Sequence, residues 1–129
     1  MTLQVDLVVP EGEIWSGTAR MVIAKTLEGD IGVLTGHTPV LGVLAEGSLV
    51  EIVAEDESRV RAAVSGGFLS VADNKVSILA AQALLGDEID TSEAQRELDA
   101  ALSDAGPGPE EPAEAKYARA LLRAAGGQA

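Results

Sequence analysis

Arg59-Val60-Arg61-Ala62-Ala63-Val64-Ser65-Gly66-Gly67-Phe68-Leu69-Ser70-Val71-Ala72-Asp73-Asn74-Lys75-Val76-Ser77-Ile78-Leu79-Ala80 is the stretch that settles what kind of molecule this is. Three short apolar and β-branched runs, 59–65, 68–72 and 76–80, are cut apart by Gly66-Gly67 and by Asp73-Asn74-Lys75. A glycine pair inside such a run marks a bulge or a strand corner, and Asp-Asn accepts the left-handed backbone of a tight reversal. Strands this short, with turn residues between them, predict an antiparallel sandwich or barrel.

The pattern continues toward the amino terminus. Leu3, Val5, Leu7 and Val9 alternate with Gln4 and Asp6, the period of two that a half-buried strand requires, and Pro10-Glu11-Gly12 ends the run. A second run, Ile14-Trp15 and then 18–26, is rich in β-favouring side chains, and Ser16-Gly17 inside it predicts a bulge or a short connection. Trp15 reads as a residue that caps the core. Residues 40–44 and 48–54 are strands around the turn Glu46-Gly47, and the charged cluster Glu55-Asp56-Glu57-Ser58 is a hairpin tip with nothing to bury.

Between them lies Gly29-Asp30-Ile31-Gly32-Val33-Leu34-Thr35-Gly36-His37-Thr38-Pro39, with three glycines, a proline and the only histidine of the chain. So many turn residues predict a shaped loop over the whole segment, of the kind that carries recognition on a rigid scaffold.

From Asp87 onward β-branched residues nearly vanish, and Ala, Glu, Leu and Arg favour helix. Asp90 with Glu93 forms a capping-box-like start, and Ala94, Leu98, Ala101, Leu102 and Ala105 make a narrow apolar stripe. Gly106-Pro107-Gly108-Pro109 stops that helix, Pro112 opens a second one, and Gly126-Gly127 ends it near Ala125. The expected architecture is therefore an all-β sandwich over residues 1–86, followed by a helical hairpin over residues 87–129 with a Gly/Pro linker at about 106–112. Because the stripes are thin and mostly alanine, each helix is expected to bury little and the hairpin to detach from the sandwich at modest cost.

Composition sets the outer bounds. A chain of 129 residues holds one domain with room for a small appendage. With 47% hydrophobic residues but a single Phe, Trp and Tyr, the core has to be built from Val, Leu, Ile and Ala. The net charge of -12 repels phosphate backbones, which argues against nucleic acid or anionic lipid as the main partner and points to proteins or something basic. The absence of cysteine excludes disulfides, thiolate catalysis and cysteine zinc sites. The first ten residues lack the pattern of a signal peptide, and no window approaches the roughly 18 apolar residues needed to cross a bilayer, so direct membrane insertion is not expected.

Candidate chemistry is sparse. His37 reads as a capping or contact residue rather than a catalytic base, because no nucleophile and acid are patterned with it. One histidine with scattered carboxylates matches no metal spacing, so neither a metal nor a cofactor is expected. Gly29, Gly32 and Gly36 are not a phosphate loop, since no Lys-Ser or Lys-Thr follows them. The tail divides its charge unevenly: residues 87–111 hold nine acids and one base, whereas Lys116, Arg119 and Arg123 oppose only Glu114 over residues 113–129. Those three cations at i, i+3 and i+7 share one helix face, either as a solvated face or as a docking stripe for an acidic partner.

Taken together, the segment 29–39, the run Gly66-Gly67-Phe68-Leu69-Ser70-Val71, the strand Val76-Ser77-Ile78-Leu79-Ala80, and the early Val9-Pro10-Glu11-Gly12 and Trp15-Ser16-Gly17 resemble the epsilon subunit of F-type ATP synthases. The resemblance extends along the whole chain. It implies a non-catalytic rotor component whose sandwich binds the gamma subunit and contacts the polar loops of the proton-driven c-subunit ring, at the cytoplasmic face of the plasma membrane as a peripheral part of the complex. On this resemblance Asp30 and His37 lie on the loop surface that approaches the ring, with Gly32 and Gly36 shaping it. The tail is then a two-state element that folds against the sandwich or extends along gamma toward the alpha and beta catalytic head, where it restrains ATP hydrolysis, with Lys116, Arg119 and Arg123 on its basic face.

Some members of that family bind ATP through Ile-Asp-x-x-Arg-Ala, and here the matching residues are Ile89-Asp90-Thr91-Ser92-Glu93-Ala94. Glu93 stands where the arginine would hold phosphate, which leaves ATP binding doubtful, with Arg119 or Arg123 as the available compensation. The reading from a different class is a free-standing soluble sandwich that binds a protein or a small ligand. An enzyme reading runs third, since no residue pattern supports catalysis by this chain.

Overall fold

The computed structural model describes residues 2–104 and 111–126, so Ala105 and the expected linker residues 106–110 lie outside the described residues. Ten strands make one folded sheet: β1 Leu3–Val9, β2 Gly12–Ala19, β3 Met21–Thr26, β4 Gly29–Leu34, β5 Val40–Leu44, β6 Ser48–Val53, β7 Arg59–Val64, β8 Gly67–Ala72, β9 Lys75–Ala80 and β10 Ala83–Leu85. The strand order is β10-β7-β6-β3-β5-β8-β9-β1-β2, with β4 added on the free side of β3. The step from β3 to β5 is a single pair, Thr26 with Leu44, where the sheet turns over on itself. Two layers result, β10-β7-β6-β3-β4 and β5-β8-β9-β1-β2, with one apolar core between them. This is the sandwich the sequence predicts.

The core is aliphatic, as the aromatic count demands. Leu3, Leu7, Ile52, Leu69 and Ile78 are its largest fully buried side chains, with Val5, Val22, Val33, Val50, Val64 and Val71 buried among them. Alternation drives it: β1 buries Leu3, Val5, Leu7 and Val9 while Gln4 stays exposed. One pairing is not antiparallel. β1 runs parallel to β9 in the register Gln4 with Lys75 through Val8 with Leu79.

Three expectations are corrected in detail. The segment 29–39 is not a loop throughout, since Gly29–Leu34 pairs with β3 along its full length from Thr26 to Met21. Ile31 and Val33 point to the core while Asp30, Gly32 and Leu34 face out, and only residues 35–39 form the connection. The irregularity in the second run is not at Ser16-Gly17. It falls where Leu7 pairs with Trp15 and Val8 with Glu13, which leaves Ile14 as the extra residue. Gly17 is explained by the neighbouring ring instead, because a Cβ there would come within 2.8 Å of the Trp15 indole. The run also breaks at Arg20 into β2 and β3, and the short strand β10 beside β7 lies in a segment with no recognisable alternation.

A 3-10 turn over Gly86–Glu88 leads into α1, Thr91–Asp104. Asp90 caps it, its Oδ1 accepting the amide hydrogens of Ser92 at 3.0 Å and Glu93 at 3.1 Å. Helix α2, Ala113–Ala124, starts immediately after Pro112 and stops at Gly126, whose φ of 94° ends the helix with its amide on the Arg123 carbonyl. The two helices are antiparallel: Ala100 and Asp104 share a cleft with Ala113 and Glu114, and Asp90 and Ala94 share another with Leu121. Burial is unequal, contrary to the expectation that both helices bury little. α1 buries only Ala94 and Leu98, whereas α2 buries Ala115, Ala118, Ala120, Leu121, Leu122 and Ala124 between α1 and the outer face of β6 and β7. A second small core joins them, with Ala63 of β7 and the partly buried Leu49 of β6 as its sandwich side.

Candidate protein-contact surfaces

The strand register gives the sandwich two ends. At one lie the turns 27–28 and 45–47 and the corner at Gly66-Gly67. At the other lie Arg20, the connection 35–39, the β6–β7 tip and the Asp73-Asn74 reversal. Asp73 and Asn74 hold φ values of 51° and 62°, the left-handed pair that a two-residue reversal requires.

Gly36 and His37 belong to the second end. The His37 amide donates to the Leu34 carbonyl at 3.1 Å and closes a four-residue turn whose third position, Gly36, has φ of 82°, as a type II turn needs. The Gly36 amide donates to Asn74 Oδ1 at 2.6 Å, which ties this turn to the β8–β9 reversal. The His37 ring sits 2.6 Å from the Thr38 carbonyl through Nδ1; since a carbonyl only accepts, that nitrogen carries the proton. His37 thus anchors a turn.

Asp30 lies elsewhere. It is exposed, pairs in register with Lys25 and lines a depression with Lys25, Glu46, Gly47 and Arg123 near the first end. Asp30 and His37 are therefore not brought together at one tip; they mark the two ends of a strip along β4, with Gly32 midway. Gly32 has open space where a Cβ would stand and no left-handed backbone, so nothing inside the chain demands a glycine there.

Lys116, Arg119 and Arg123 are brought together, along with Lys25 of β3, on a groove of about 710 Å³ between α2 and the first end of the sandwich. Glu46 and Glu111 share it, and Arg119 is paired with Glu111 at 2.6 Å. The basic face therefore borders this groove while α2 is docked, with Arg119 half-buried against Glu111 and Lys116 and Arg123 exposed at its rim.

Ile89, Asp90, Glu93 and Ala94 line a separate cleft of about 430 Å³ with Glu11, Glu88, Glu97, Tyr117 and Leu121. Its charged lining is entirely carboxylate, and neither Arg119 nor Arg123 reaches it, so those arginines do not stand in for the one that Glu93 replaces. Burial, and then the Glu97 carboxylate, push the Tyr117 phenol above its ordinary value of 10.0. Among the described residues no group of three or more His, Cys, Asp or Glu is placed to hold a metal ion.

One surface escaped the sequence reading. Val43 of β5 pairs with Phe68 of β8, and Phe68 with Leu79 of β9, so three large apolar side chains lie in a row across the outer face of that layer. They are 44%, 51% and 49% exposed, and Leu41 and Leu27 beside them are each 72% exposed. Phe68 in an alternating strand looks like core from sequence, because only the fold tells which face is covered.

Residues 2–86 match the family model for the ATP synthase Delta/Epsilon chain, beta-sandwich domain. The chain belongs to the ATP synthase epsilon family. It is 50% identical over 125 residues to the ATP synthase epsilon chain of Thermobifida fusca, covering 95% of this chain and 91% of that one. With the epsilon chain of Streptomyces avermitilis it shares 52% identity over 102 residues, 79% of this chain and 82% of that one. In structure it is similar to a chain of the cryo-EM structure of Euglena gracilis mitochondrial ATP synthase, OSCP/F1/c-ring in rotational state 1. The TM-score is 0.75 at 26% identity, covering 96% of this chain and 81% of that one. A chain of the Tetrahymena thermophila mitochondrial ATP synthase central stalk and c-ring has the same fold at a TM-score of 0.59 and 19% identity, covering 97% and 91%. Both helices of this epsilon-family chain lie within those alignments by coverage, and no described helix is long and apolar enough to cross a membrane.

Proposed function

We propose that this chain is a non-catalytic central-stalk subunit of a proton-translocating F-type ATP synthase, coupling rotation of the c-subunit ring to ATP synthesis through gamma, with a tail that restrains ATP hydrolysis. The observation that carries the coupling role is the apolar row Val43, Phe68 and Leu79. A contiguous exposed apolar patch on a protein this acidic marks a protein interface. We assign that row to gamma, the partner that has to be held permanently, and the strip along β4 from Asp30 through Gly32 to the Gly36-His37 turn to the ring. Asp30 offers a ring loop an acidic contact, and the empty space above Gly32 lets another backbone approach closely.

The tail supplies the regulatory part. Released from the sandwich, α2 would present Lys116, Arg119 and Arg123 together to an acidic surface of the catalytic head. The carboxylate-lined cleft at Glu93 disfavours a nucleotide, so on this reading ATP does not set the tail's position. The chain is placed at the cytoplasmic face of the plasma membrane, peripheral and held there by the complex.

The test is purification of a tagged copy from solubilised membranes. Wild-type chain should bring gamma, the alpha and beta head and the ring in fixed proportion, and Phe68→Asp with Leu79→Asp should lose them while remaining folded by circular dichroism. Recovery of the wild-type chain alone from the soluble fraction would overturn the assignment and leave the free-standing module.

A further inference from the structure

Helix α1 makes its main contacts with α2, whereas α2 also packs on β6 and β7. The tail therefore hangs on the sandwich by α2. Four of the six buried α2 residues are alanines, Ala115, Ala118, Ala120 and Ala124, beside Leu121 and Leu122, and they join Ala63 and the partly buried Leu49, so much of this small core is narrow enough for backbones to come close. Two glycines mark where the approach is closest. A Cβ on Gly47, in the β5–β6 turn, would overlap the carbonyl carbon of Lys116 and the amide nitrogen of Tyr117. A Cβ on Gly86, just after β10, would overlap the carbonyl oxygen of Ala124. In both cases the obstacle is helix backbone, which cannot rotate away as a side-chain end can.

These contacts are near the start and at the last residue of α2. Gly86 has no left-handed φ, so the conformation itself does not call for glycine there; the helix does. We infer that Gly47 and Gly86 form a two-point latch that admits α2 only in its docked position, so that a side chain at either point releases the tail as a unit while the sandwich stays folded. The latch belongs to this chain alone and does not depend on which partner the released tail meets.

The experiment is amide hydrogen exchange on the full-length chain, comparing wild type with Gly86→Ala, Gly47→Asn and Gly32→Ala. Asparagine tolerates the φ of 59° at position 47, so it isolates overlap from backbone strain. Gly86→Ala and Gly47→Asn should speed exchange in α2 at least about tenfold and leave strands β1 to β9 unchanged, because local release and global unfolding are separate openings. Gly32→Ala, with open space around it, should match wild type throughout. Wild-type protection of α2 in both latch variants would overturn the inference. So would loss of protection spread evenly over strands and helices in both, since the glycines would then serve the sandwich itself.

Discussion

At the scale of single residues, the glycines of this chain fall into classes that the sequence does not distinguish. Gly67 has φ of 137°, and a Cβ there would overlap the Leu79 carbonyl and crowd the Ala80 Cα across the β8–β9 pair. Strain and overlap add, so Gly67→Ala should cost about 2–4 kcal/mol of stability. Gly32→Ala meets neither obstacle and removes freedom from the unfolded chain, so it should be neutral or stabilising by about 0.5 kcal/mol. Urea midpoints of the two variants against wild type check both; equal midpoints would mean that the β8 corner tolerates a side chain. Asp56 shows how a residue at a tip can be specified by its own neighbours. Its Oδ1 accepts the Ser58 hydroxyl at 2.6 Å and the Ser58 amide at 3.0 Å, and these bonds hold its carboxyl below the ordinary value of 3.8.

At the scale of elements, α2 carries the tail and Tyr117 reports on it. The phenol is half-buried near Glu97, so its neutral form is favoured in the folded chain. A group with a raised folded value contributes its stabilisation fully below the unfolded value and loses it as pH rises through the folded one. The stability difference between wild type and Tyr117→Phe should therefore be constant below about pH 10 and move against wild type above it. Because Tyr117 is the only tyrosine, ultraviolet titration reads its ionisation directly, and an ordinary tyrosine midpoint would remove the effect. Elements also show what could be read in advance. Alternation over 3–9 and the two punctuated runs after Arg59 gave sandwich strands directly, and Asp90, Pro112 and Gly126 gave the helix ends within a residue or so. β4 was hidden because Gly29 and Gly32 lower strand propensity and leave Ile31 and Val33 as the only inward residues. The burial of α2 was hidden because alanine is a weak apolar signal, and the glycines that let it approach lie at positions 47 and 86, outside the helix. The apolar row at Val43, Phe68 and Leu79 needed the three-strand register before it became a surface at all.

At the scale of the whole molecule, the division of the apolar residues decides what can be removed. The sandwich core draws on all ten strands and contains no residue of α1 or α2, while the tail cluster reaches into the sandwich only at Ala63 and Leu49. A chain ending at Asp87 loses the cover over those two residues and the lesser packing of α2, and nothing between the layers. It should keep its strand signature in far-ultraviolet circular dichroism and unfold in one cooperative transition, with a midpoint lowered modestly by the newly exposed face. Assembled with its partners, the truncated chain should still support ATP synthesis, because the apolar row and the β4 strip lie before the cut, and hydrolysis should rise several-fold if the tail is what restrains it. The two readouts separate the parts of the proposal. Lost synthesis with a folded sandwich would move the coupling contacts into the tail, and unchanged hydrolysis would leave the latch at Gly47 and Gly86 as a device without a regulatory output.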